Sequence, residues 1–180
     1  MGLPVRLVAV AVVAGFLAVS FGAFVSAWPA PFGRLDVGLI LSCGLVAMFR
    51  PTEAMVSAVS AGLALDAIGA SVPGLHLLTG LMAVFLADTV FRRFLANLSW
   101  PSFVTLNALA FVFREAAVGA VSAVGIRLSG FVPAVSVGEW FGGLLSASAV
   151  QAAVALLLLG AFRSLSAWFN RRYLYSRNVH

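Results

Sequence analysis

The sequence predicts an all-α transmembrane bundle of six helices with both termini in the cytoplasm, and three observations predict it. Of 180 residues, 62% are hydrophobic and 9% charged, where soluble domains run roughly 45–50% and about 25%. Apolar stretches of helix length recur along the whole chain, whereas a membrane barrel would show alternating segments of about ten residues. The third observation is where the arginines fall. With the amino terminus inside, Arg6, Arg50, Arg92, Arg93, Arg163, Arg171, Arg172 and Arg177 lie on the cytoplasmic side and only Arg34 and Arg127 outside. Cytoplasmic loops carry such an excess.

The first span covers about residues 7–28. Its apolar region is longer than the roughly 7–15 residues of a signal-peptide core, so it reads as a retained helix despite the small Val25-Ser26-Ala27 tripeptide. Ala14, Ala18, Gly22 and Ser26 recur every fourth residue, a helix-packing stripe suited to close approach inside the bundle. Pro29, Pro31 and Gly33 turn the chain. The second span, about 35–49, is only about 22 Å long, so Arg34 and Arg50 snorkel from its ends or the membrane thins around it. Asp36 beside Arg34 reads as a solvated interfacial pair. Pro51 opens the third span, about 53–70, with Thr52 or Glu53 serving its free amides.

The fourth span, about 75–91, ends in Asp88 and Arg92, a pair one helical turn apart. The fifth, about 102–126, holds Arg114 and Glu115 near its middle. The sixth, about 138–162, has Gln151 as its one central polar residue, and Gly142-Gly143 near its start suits close packing. Together these make one transmembrane domain, residues 1–165. The tail, 166–180, carries Arg171, Arg172 and Arg177 among aromatic residues, as an anchor on anionic membrane lipid would. Trp28 and Trp140 fall at the outer boundary, and Trp100 and Trp168 at the inner one.

Little in the chain points to chemistry. The histidines, His76 and His180, have no nucleophile at a telling spacing, and one cysteine with scattered acids gives no metal cluster. No phosphate-binding glycine loop occurs. The expectation is a protein that is not an enzyme, with no cofactor and no metal. The +5 formal charge belongs to helix flanks, so no nucleic-acid partner is expected.

The most informative stretch is residues 62–76, GLALDAIGASVPGLH. Asp66 stands deep in an apolar segment, where a carboxylate costs several kcal/mol unless it faces a partner. The following glycines and proline mark the turn out of the helix. Asp66 and Arg114 lie at matching depths along their helices, about 18–20 Å in, which permits an ion pair between them. His76 reads as a helix-start residue bonded to the preceding turn.

The spacing of Gly62, Asp66, Gly69, Gly74 and His76 resembles the MreD family of rod-shape-determining membrane proteins. That resemblance implies a non-enzymatic, multi-pass component of the bacterial inner membrane. It further implies binding to an MreC-like bitopic protein, with coupling of an MreB-like filament to the cell-wall synthases of the elongation machinery. Substrate-binding subunits of energy-coupling-factor vitamin transporters offer an alternative. They are similar in size and helix number and carry small-residue stripes in the first span; there Asp66, His76 and Arg114 would line a ligand pocket.

Overall fold

A computed structural model describes residues 2–29, 32–68, 73–94, 99–129 and 137–177. Gly69 lies outside the described residues, as do the side chains of Ser26, Trp100, Arg127, Arg163, Trp168, Arg171, Arg172 and Arg177. The architecture is all-helical: α1 (Leu3–Ser26), a one-turn 3-10 helix (Phe32–Arg34), α2 (Val37–Ala47), α3 (Pro51–Ile68), α4 (Leu75–Phe94), α5 (Trp100–Ser129) and α6 (Val137–Arg177). Among the described residues, four segments are long and apolar enough to cross a membrane: Leu3–Val25, Leu75–Phe94, Pro101–Val121 and Gly138–Ala161.

One element differs from expectation. The second helix has only 11 residues, about 16 Å, because Asp36 stops it early by capping its first turn. The sixth runs on past its apolar span; its backbone stays helical to Arg177. Nothing breaks it, since the stretch 163–177 has neither glycine nor proline and offers several good helix formers.

α3 packs against α1, α2 and α4, while α4 packs on α5 and α5 on α6. α2 is enclosed by α3, α4 and α5, with Leu39, Ile40, Cys43, Val46 and Ala47 buried. Its length needs no match to a bilayer, because its partners rather than lipid surround it. The core continues through Phe91 of α4 and Leu106 and Phe111 of α5. Val8, Val12 and Phe16 of α1, Leu78 and Phe85 of α4, and Leu157 of α6 face outward, as lipid-contacting positions do.

Small residues set the closest approaches. Ala14 and Ala18 are buried. A methyl group on Gly22 would sit 3.2 Å from a Leu65 methyl, and one on Gly15 would sit 2.8 Å from Ser60 Oγ. Ser60 donates to the Ala11 carbonyl one turn away. The stripe therefore faces α3 inside the bundle. Between α2 and α3, Phe49 adopts φ 58°. Its N–H donates to Val46 O and that of Arg50 to Leu45 O, both at 2.9 Å. This is a Schellman closure with phenylalanine where glycine is usual. The Phe49 ring meets Phe91 edge-on at 5.4 Å. Just beyond, Glu53 does not cap α3 but accepts from Arg6 at 2.6 Å and Arg50 at 3.2 Å, tying the start of α1 to the start of α3.

Candidate functional site

Gly62 and Asp66 stand one turn apart on α3 and so share a face. Across that face lies the first turn of α4. A methyl on Gly62 would come within 2.6 Å of Leu77 Cα and 3.1 Å of His76 O, so only glycine lets the two backbones approach this closely. Gly74, at φ +83°, starts α4: its carbonyl accepts the first intrahelical bond, from Leu78 N–H at 2.9 Å. As an N-cap it has no side chain to offer the free amides. Asp66 supplies what is missing, accepting from His76 N–H at 3.0 Å and Leu77 N–H at 3.1 Å. These are the amides an N-cap side chain serves, and the carboxylate also meets the positive end of the helix dipole.

Held in that first turn, the His76 ring reaches α5. Its Nδ1 lies 3.0 Å from Arg114 Nη2. A guanidinium can only donate, so Nδ1 accepts and Nε2 carries the hydrogen. The Arg114 Nη1 lies 2.7 Å from Asp36 Oδ2, and both residues are buried. The expected Asp66–Arg114 pair is thus replaced by an indirect link: Asp66 binds the His76 backbone and Arg114 its ring. Nor does Asp36 form a solvated pair with Arg34. It sits at the top of a half-length helix, inside the bundle, where Arg114 is the cation within reach.

Asp36 is held from every side. Its Oδ1 accepts from Leu39 N–H at 2.9 Å. The Gln151 amide of α6 then clamps its backbone, accepting from Asp36 N–H at 3.0 Å and donating to Asp36 O at 2.9 Å. Nearby, Ser42 Oγ donates to Gly38 O at 2.8 Å and lies 3.1 Å from the Ser57 hydroxyl, within hydrogen-bond distance. Non-helical backbone within a membrane is tolerated only where protein or a polar cavity satisfies it, and Gln151 does so here. The sequence carried two signals for this clamp: an acid at the mouth of a span too short to cross, and a lone central glutamine in the last span.

Beside the cluster, between α1, the 3-10 helix and α5, lies a cavity of about 290 Å³. Arg34, Asp36, His76, Arg114 and Glu115 line its polar side, and Phe21, Val25 and Val118 are among the apolar residues opposite. Asp66 is not part of the lining. Glu115 approaches Arg114 Nη1 only to 3.8 Å. Among the described residues no three histidine, cysteine or acidic side chains come together as a metal site would require.

Comparison with protein-family models, with curated proteins and with solved structures gave no match to this chain. Fold and site together define a class: an all-α helical bundle with several helices fit to span a membrane and a polar, ion-paired cluster that links α2, α3, α4, α5 and α6. The chain is a membrane protein by the length and apolarity of those helices.

Proposed function

We propose that this chain is a multi-pass, non-enzymatic scaffold of the bacterial inner membrane, MreD-like. In this reading both termini are cytoplasmic, the chain binds an MreC-like bitopic partner, and it helps couple MreB-like filaments to peptidoglycan synthesis. The observation that carries the reading is the role of the pattern residues. Gly62, Asp66, Gly74 and His76 are joined into one device that docks α4 on α3 and reaches Arg114. Residues of that kind serve a rigid membrane scaffold, which works by presenting helix faces to partners.

A second reading, the substrate-binding subunit of a vitamin transporter, draws on the cavity lined by His76 and Arg114. One experiment separates the two. The tagged chain is captured from its own membranes in mild detergent, and the co-purified proteins are identified by mass spectrometry. An MreC-like protein with cell-wall synthases is the expected result; paired ATPases with a membrane coupling subunit would replace the scaffold reading by the transporter one. Depletion in a rod-shaped host should also round the cells, and unchanged rods would count against the scaffold.

A further inference from the structure

We infer that the cavity between α1 and α5 is a binding site for a zwitterion, a small group carrying an anion and an N–H cation a few bonds apart, of the phosphoethanolamine type. Asp36 and Arg114 neutralise one another at 2.7 Å. That leaves Arg34, with no hydrogen bond or ion pair to a described residue, and Glu115, which meets Arg114 only at 3.8 Å, an ion pair without a hydrogen bond, on the walls of the same cavity. His76 adds a third open group, because its Nδ1 is taken by Arg114 and its Nε2–H is left to donate.

The lining charges cancel: Arg34 and Arg114 against Asp36 and Glu115. A ligand of net charge would leave an uncompensated charge in a weakly polar surrounding, which is costly. A zwitterion leaves none. Its anion suits Arg34 and the His76 Nε2–H, and its cation suits Glu115, each as a charge-assisted hydrogen bond. Phe21, Val25 and Val118 supply apolar wall for the carbons between or beyond the charges. The volume, about 290 Å³, would hold about ten waters, and a phosphoethanolamine group falls within that size. The same chemistry is offered by a phosphatidylethanolamine headgroup entering from the bilayer and by a free solute. The site does not depend on the scaffold reading.

The test uses the full chain in detergent, equilibrated with equal amounts of phosphatidylethanolamine, phosphatidylcholine and phosphatidylglycerol and read by native mass spectrometry. Free glycerophosphoethanolamine, a phosphodiester that keeps the zwitterion without acyl chains, is added in a parallel thermal-unfolding assay. Retention of phosphatidylethanolamine about tenfold over phosphatidylcholine, whose quaternary ammonium has no N–H, is expected from one charge-assisted bond. Arg34→Gln and Glu115→Gln should each bring that ratio near one. Val118→Phe, which fills the cavity and leaves its charges alone, should do the same. A thermal shift with the free compound and no lipid preference would support the site with a soluble ligand. Preference for phosphatidylglycerol, or a preference untouched by all three variants, would overturn it. So would the absence of both lipid preference and thermal shift, with the cavity holding water only.

Discussion

Replacing Gly62 with alanine tests the geometry of the α3–α4 turn most directly. The added methyl would sit 2.6 Å from Leu77 Cα and 2.9 Å from Leu77 N, where carbon contacts settle at about 3.5–4.0 Å. Both obstacles are backbone, so no side chain can swing aside. The first turn of α4 must retreat by about 1 Å. The bonds from His76 and Leu77 to Asp66, now 3.0 and 3.1 Å, would then stretch to about 4 Å, beyond hydrogen-bond range. Overpacking costs about 1–3 kcal/mol, and a bond to a charged group about 1.5–3 kcal/mol. Alanine returns about 1 kcal/mol of helix propensity. Counting the two bonds to the one carboxylate as a single loss, the net expectation is a loss of about 1.5–5 kcal/mol. Reversible unfolding in mixed detergent and SDS would measure it, with Gly142→Ala alongside. Among the described residues, no atom outside its own stretch of helix lies within 4 Å of a methyl at Gly142, so that variant should be neutral or gain up to about 1 kcal/mol. A Gly62→Ala protein within about 0.5 kcal/mol of the parent, well inside the loss worked above, would refute the reasoning.

Other expectations follow from the buried cluster and the turns. Arg114→Leu should cost about 3–5 kcal/mol by stranding Asp36, and adding Asp36→Asn should recover part of it in a double-mutant unfolding cycle. By contrast, exchanging the charges of Asp66 and Arg114 should restore nothing, because these two do not meet; rescue by that exchange would be contrary evidence. Gln151→Leu leaves the Asp36 N–H unpaired, at about 1–3 kcal/mol, while the Asp36 C=O keeps its bond from Ile40 N–H at 3.2 Å. The variant's thermal midpoint should fall, with the segment around Asp36 exchanging amide hydrogens faster. At Phe49, with φ 58°, isoleucine should destabilise by more than glycine does, since a β-branched residue is strained there. Equal midpoints for the two would argue against the αL turn.

How far the sequence could be read depended on the kind of interaction. Helix number and most boundaries follow from apolar runs and breakers, which are local, and α3 to α5 begin and end near the expected residues. The stripe Ala14, Ala18, Gly22 was readable because small residues every fourth position have one physical use in a membrane helix. The partner of Asp66 was not. Depth along two helices permits a pair with Arg114 but carries no information on rotation about each axis, and rotation turns Arg114 toward Asp36. Nor does depth reveal that a carboxylate may be needed for backbone amides rather than for a cation. Gln151 clamping Asp36, 115 positions away along the chain, left no local trace beyond being polar in an apolar helix. The apolar span of α6, Gly138–Ala161, falls where expected, and its backbone stays helical beyond it because the arginines that follow are good helix formers.

The brevity of α2 also bears on how the chain enters a membrane. A segment of 11 residues is well short of the about 20 that partition into a bilayer unaided. It must therefore go in together with α1 and α3, as a passenger between them. Its head remains unmoored longer still. Arg114 and Gln151, which hold Asp36, are made last, and at about 5–20 residues per second the ribosome needs about 6–23 s to travel from Asp36 to Gln151. Through that interval a bare carboxylate and an open helix start wait within a half-built bundle. A ribosome that stalls before the sixth helix leaves this protein with an incomplete core. Quality control in the membrane could recognise the product by its unanswered acid.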